Sequence, residues 1–262
     1  FEMHDCLLQY TRIEFQGPGS YRVQNSQFHP DYTKASYLIN HPRADFLMIG
    51  GGIGGGSFPS SEPPDEEFHV WQKHGRVRIF GTAMAGAQGI ADIRIETASR
   101  LGPHAIVNVR TESTVPRWVV ENGGALVYVP PSAEPVDIFL YHNKHDGGGF
   151  DPSHPDGQLR NTFLNYNAAG TVWLLNNHAP WLGRSIATGD APDARIIAMG
   201  NRTFLSNDIL PIRTVREKFA AGNLYTSELP DLDQPDLVPK WATPETDLTS
   251  IRALPCFPRL EV

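Results

Sequence analysis

Cysteine is nearly missing from this chain: only Cys6 and Cys256 occur among 262 residues, close to opposite ends. Two such distant thiols build neither a zinc cluster nor a disulfide framework, so the fold rests on an apolar core, which a chain of this length can bury. A bridge between them would close a very long loop and tie the ends together; two free thiols are the alternative. Charge is scarce too. Charged residues make up 19% of the chain, with 22 Lys+Arg against 29 Asp+Glu and a formal net charge of -7. That balance creates no overall basic field to hold nucleic acid by its phosphates. No apolar run approaches the roughly 18 residues of a membrane span. Neither a G-x-S-x-G nucleophile elbow nor a P-loop occurs. Residue 1 is Phe rather than Met, from which a processed chain in a virion or outside the cell is expected, and the acceptor triplet Asn201-Arg202-Thr203 points the same way.

Glycine and proline, by contrast, are plentiful at 24 and 22 residues and imply many turns. The densest run, Gly50 to Gly56 with Ile53 at its centre, follows the apolar stretch 46–49 and matches at Gly50, Gly52 and Gly55 the spacing of a dinucleotide-binding turn. That device needs a helix starting on the glycines, and Pro59, Pro63 and Pro64 forbid one. No nucleotide cofactor is expected. The stretch reads instead as a strand leaving its sheet through a glycine-rich connection.

Alternating apolar and polar residues predict strands at 76–80, 105–110, 117–121, 125–129, 136–142 and 194–199, with others at 162–165, 171–176 and 203–205. Asn122-Gly123 reads as a hairpin turn. Residues 90–101 fit strand and helix alike. Pro211 to Ala221 has Ile212, Val215 and Phe219 at i, i+3 and i+7 with Gly222 just beyond, which predicts a helix. The expected fold is mainly β, an antiparallel sandwich or jelly-roll-like core with one or two short helices and long ordered arms at both ends; α+β is the alternative. The expected division is an extended amino-terminal arm at 1–44, a β-rich core domain at 45–222 and an extended proline-rich arm at 223–262.

The densest set of ligand-type side chains lies in 141–157. His142, His145, His154 and Asp156, with His178, form the candidate metal site: histidine and carboxylate bind zinc, manganese or iron, and His154-Pro155-Asp156 has the spacing of a two-histidine, one-carboxylate iron centre. A divalent metal is the one cofactor class the sequence suggests, against the alternative of a solvated polar loop. Glu66, Glu67, Glu96, Glu112 and Glu121 are candidate carboxylates for glycoside hydrolysis. Trp71, Trp118, Trp173, Trp181 and Trp241 are candidate sugar platforms or packing residues. Three functions are expected in this order. The first is a structural subunit of a multi-subunit assembly, such as a jelly-roll capsid or shell protein cut from a polyprotein, with other subunits as partners. The second is a secreted β-rich enzyme, hydrolase or metal-dependent, using the His/Asp-rich loop. The third is an extracellular carbohydrate-binding module.

Overall fold

In a computed structural model of the chain, residues 1–30, 35–54, 68–85, 91–112, 125–145, 162–179, 187–204, 212–213 and 216–226 are described. They form strands numbered β1 to β23 along the chain, with no α-helix among the described residues. The strands follow one another around successive coils. The first coil holds β1 (Glu2–His4), β2 (Leu7–Thr11) and β3 (Ile13–Phe15); the second holds β4 (Gly19–Gln24), β5 (Gln27–Pro30) and the first half of β6 (Tyr37–Ile49). The rest of β6, then β7 (Gly52–Ile53) and the first half of β8 (Val70–Phe80) make the third. The fourth takes the rest of β8, β9 (Ala83–Ala85) and β10 (Ala91–Ile95), and the fifth β11 (His104–Val107), β12 (Arg110–Glu112) and β13 (Ala125–Pro135). In the sixth are β14 (Ile138–Tyr141), β15 (Lys144–His145) and the first half of β16 (Thr162–Leu175). The seventh continues β16 through β17 (His178–Ala179) and β18 (Ala187–Asp190). β19 (Ala194–Met199), β20 (Arg202–Phe204) and β21 (Ile212–Arg213) form the eighth, and β22 (Glu217–Ala221) with β23 (Leu224–Thr226) the ninth.

Each strand pairs in parallel with its counterpart one coil on, which stacks the coils into three faces. The first face runs β1, β4, β6, β8, β11, β14, β16, β19, β22, and the second is the nine-stranded sheet from β2 to β23. The third runs β3, β6, β8, β10, β13, β16, β18, β21. Because β6, β8 and β16 each bend from the third face into the first, the two faces join, and β8, β10, β13, β16, β14 and β11 close into a ring of six parallel strands. The architecture is a parallel β-solenoid. Inside it, one apolar residue per coil stacks on the next: Val23, Met48, Ile79, Ile106, Leu140, Leu174 and Ala198 are register partners and are buried.

This overturns the expected antiparallel sandwich or jelly roll. Alternation and Gly/Pro punctuation report strands and turns, but not the direction in which strands pair, and every described pairing is parallel. The α+β alternative fails with the helix expected at 211–221: Glu217–Ala221 is strand β22, in register with Arg195–Met199. Residues 91–95, ambiguous in sequence, are strand β10 between β8 and β13. Residues 1–30, expected in an arm, supply β1 to β5 of the first two coils. The Asn122-Gly123 turn, the strand at 117–121, the segment 227–262 and Cys256 lie outside the described residues, whereas Cys6 is a free thiol.

One corner repeats in every coil. Between the first and second faces the chain turns in two residues, and the leading one has positive φ: Asp5 (51°), Asn25 (47°), Gly50 (64°), Gly81 (63°), Asn108 (52°), His142 (54°), Asn176 (51°), Gly200 (64°) and Gly222 (60°). Glycine and small polar residues tolerate this region; β-branched ones do not. At Gly51, the next residue in its coil, an added Cβ would sit 2.2 Å from the Ser26 carbonyl oxygen, so the glycine run is built for close coil stacking. The second residue of the turn points inward, and in the sixth to ninth coils it is asparagine. Asn143 Nδ2 donates to Asn177 Oδ1 at 2.9 Å, Asn177 Nδ2 to Asn201 Oδ1 at 2.9 Å, and Asn201 Nδ2 to Asn223 Oδ1 at 2.8 Å. Each of these acceptor oxygens also receives the backbone N–H of the preceding coil, and each amide donates onward to a carbonyl: Asn143 to Ile106, Asn177 to Leu140, Asn201 to Leu174. Asn201 is fully buried in this ladder, which leaves its amide no room for a glycan.

Asn177→Ala is therefore expected to lower unfolding free energy by about 3 to 5 kcal/mol, because several buried groups each cost about 1–3 kcal/mol when left unpaired. Urea denaturation with an unchanged m-value checks it, and a loss under about 1 kcal/mol would show that the ladder is incidental.

Candidate functional site

Coil length varies from 20 residues (Asp5 to Asn25) to 34 (His142 to Asn176) between corner residues. The two-residue corner absorbs none of this difference. Most of it falls in sequence between second-face and third-face strands, at 31–34, 55–67, 86–90, 113–124, 146–161, 180–186 and 205–211, which lie outside the described residues.

The outer surface of the third face carries one residue per coil in a continuous register line: Leu38, Trp71, Arg94, Tyr128, Asn165 and Thr188. Its centre is aromatic and charged. The Arg94 guanidinium lies over the rings of Trp71 at 5.2 Å, Phe68 at 5.4 Å and Tyr128 at 5.8 Å, and the Lys73 ammonium lies 4.1 Å above the Trp71 ring. Both are cation–π contacts, which hold the cations without neutralising them. Glu96 binds the group together: Trp71 Nε1 donates to its Oε1 at 2.9 Å, and Arg94 Nε stands 2.8 Å from the same oxygen, off the hydrogen-bonding direction. The Arg94 and Glu96 side chains are each 25% exposed, so the patch is reachable from solvent.

Behind the patch, inside the solenoid, lies a polar pair. Thr111 Oγ1 donates to Asp92 Oδ2 at 2.8 Å, and His69 Nε2 is 3.6 Å from Asp92 Oδ1. Burial pushes the Asp92 carboxyl up to about 7, with the Thr111 hydroxyl pulling the other way. His104 is likewise interior, its ring bonded to the Thr97 carbonyl and the Val77 N–H; burial lowers its pKa to about 4, with the Thr97 bond opposing and Arg76 assisting. In a second charged group Asp45 is held by two arginines: Arg76 grips both carboxylate oxygens at 2.9 and 2.7 Å and donates from Nη1 to the Leu101 carbonyl, and Arg78 Nη2 adds a contact to Asp45 at 3.0 Å.

Three of the five candidate metal residues lie on described elements. His142 is an exposed corner residue, His145 lies on the second face in register with Thr111, and His178 opens β17 opposite Lys144. His154 and Asp156 lie outside the described residues. Among the described residues no three His, Cys, Asp or Glu side chains stand together as a metal group. Of the candidate carboxylates, Glu96 is in the patch, and Glu66, Glu67 and Glu121 lie outside the described residues. Trp71 is in the patch too, while Trp173 packs on the outer first face beside Phe139 and Ile197; Trp118, Trp181 and Trp241 lie outside. Sequence reasoning named Trp71 and Glu96 but missed Lys73 and Arg94, each two residues away along the chain from one of them, and Tyr128, which joins them only through coil stacking.

No helix among the described residues is long and apolar enough to cross a membrane. The fold and surface define a parallel β-solenoid with an aromatic, charged line along one face. No family model matches the chain, and no curated protein or solved structure matches it at a significant level.

Asp92 sets a pH signature. A carboxyl bound to its proton more tightly when folded contributes stability fully below its unfolded pKa, ordinarily 3.8, and loses it as pH climbs to about 7. His104 works oppositely, losing stability as pH falls from 6.5 to about 4. Relative to the parent, Asp92→Asn is thus expected to gain stability progressively from pH 4 to 7 and to level off above. Denaturation curves across that range check it; a pH-independent difference would contradict a buried proton on Asp92.

Proposed function

We propose that this solenoid binds an extended polysaccharide along its third face, the carbohydrate-binding reading among those the sequence suggested. The observation that carries it is the register line centred on Trp71, Arg94 and Tyr128. Coils stack about 4.8 Å apart, the parallel-strand spacing, which is close to the rise of one pyranose unit in an extended chain. Successive coils therefore offer one side chain per sugar. The half-buried Tyr128 offers a ring to pyranose C–H groups above a buried Trp71 that carries Arg94 and Lys73, and Asn165 and Thr188 offer hydrogen-bonding groups further along the line. An extracellular setting goes with such a ligand.

A second reading, the subunit of an assembly, draws on exposed apolar side chains: the first described coil exposes Phe1, Leu7 and Tyr10 (61, 61 and 70%), and the ninth exposes Phe219 (54%). Exposed apolar side chains of this kind suit contact with another chain.

Calorimetric titration with a panel of polysaccharides tests the first reading. Trp71→Ala is expected to weaken binding roughly tenfold or more, the effect of removing a central aromatic anchor, with thermal unfolding still cooperative. Unchanged affinity in that variant would place the ligand elsewhere. Sedimentation equilibrium showing a monomer across the micromolar range would remove the second reading.

A further inference from the structure

Resting on that reading of the third face, we infer that the polysaccharide is anionic, carrying carboxylate or sulfate groups at the spacing of successive coils. The patch holds two cations, Lys73 and Arg94, against one carboxylate, Glu96. That carboxylate is already engaged, since its Oε1 serves both Trp71 Nε1 and Arg94 Nε. Among the described residues no anion pairs with the Lys73 ammonium, which rests on the Trp71 ring, and the Arg94 η-nitrogens make no hydrogen bond, its Nε alone being paired with Glu96. A guanidinium braced by three rings is fixed in place with its forked donors unused, a form suited to two oxygens of one acidic group. Lys73 and Arg94 sit on adjacent coils, for Arg94 is the register partner of Trp71, two residues before Lys73. The chain as a whole carries -7, so attraction to a polyanion must come from this local excess and not from a general basic field. The neutral Asn165 and Thr188 continue the same line, so the charged sugars would sit at its centre.

The experiment compares charged and neutral forms of one backbone on the full chain: polygalacturonate against its methyl ester, and dextran sulfate against dextran, by calorimetry at two salt concentrations. The expected result is that the charged member of at least one pair binds roughly tenfold tighter, that added salt weakens it, and that Lys73→Gln and Arg94→Gln each remove part of the preference. Equal binding of charged and neutral partners overturns the anionic inference and leaves the polysaccharide reading standing. Absence of binding to all four overturns both. Tighter binding of a single-stranded oligonucleotide than of any charged polysaccharide also overturns it, assigning the cations to phosphate. Should Arg94→Gln fail to fold, Lys73→Gln decides alone, because Lys73 braces nothing beyond the Trp71 ring.

Discussion

A two-residue corner whose first residue adopts positive φ is the constraint on which this solenoid depends. Nine coils make the same turn at the same place, and each turn brings the next inward-facing residue over its predecessor. Where those residues are asparagines, every oxygen accepts and every amide donates along the stack, so the buried polar groups of the corner are paired without water. The corner fixes the phase of all nine coils. Differences in coil length leave that phase unchanged, because the corner always turns in two residues.

The outer faces differ in what that phase aligns. On the first face, Ala105, Phe139, Trp173 and Ile197 form an apolar, buried row. On the third, the row buries Leu38 and Trp71 but keeps Arg94, Tyr128, Asn165 and Thr188 partly exposed, with Glu96 beside Arg94. Apolar rows are satisfied by packing; a row of cations held on rings still has hydrogen-bonding capacity to give. The interior behind it is also unlike the rest of the core, since Asp92, His69 and Thr111 form a polar pocket among aliphatic stacks. Its cost is limited by keeping the Asp92 carboxyl protonated well above its ordinary range.

Much of the strand content was legible. Alternation marked 76–80, 125–129 and 194–199 correctly, because inward and outward residues alternate in a solenoid as in a sandwich. The helix expected at 211–221 failed for an instructive reason: Gly222 was read as a helix stop, and the same tolerance of positive φ makes it a coil corner. The corner itself was present in the sequence as an apolar strand followed by Asn, Gly, Asp or His and then, in four coils, Asn. Its spacing of 20 to 34 residues hides it from any search for a fixed period. The glycine run at 50–56 belongs to this series, with Gly50 and Gly51 as one corner among nine.

The sequence alone determined that the chain is rich in strands, has residues enough for an apolar core and contains no apolar run long enough for a membrane-spanning helix, because each of these follows from composition or local period. The tertiary structure decided the rest. Whether strands pair parallel or antiparallel depends on how one coil lies on another, and whether Trp71, Arg94 and Tyr128 form one surface depends on connections of variable length between them. Both are relations among residues more than twenty positions apart, which stacking creates and local pattern does not carry.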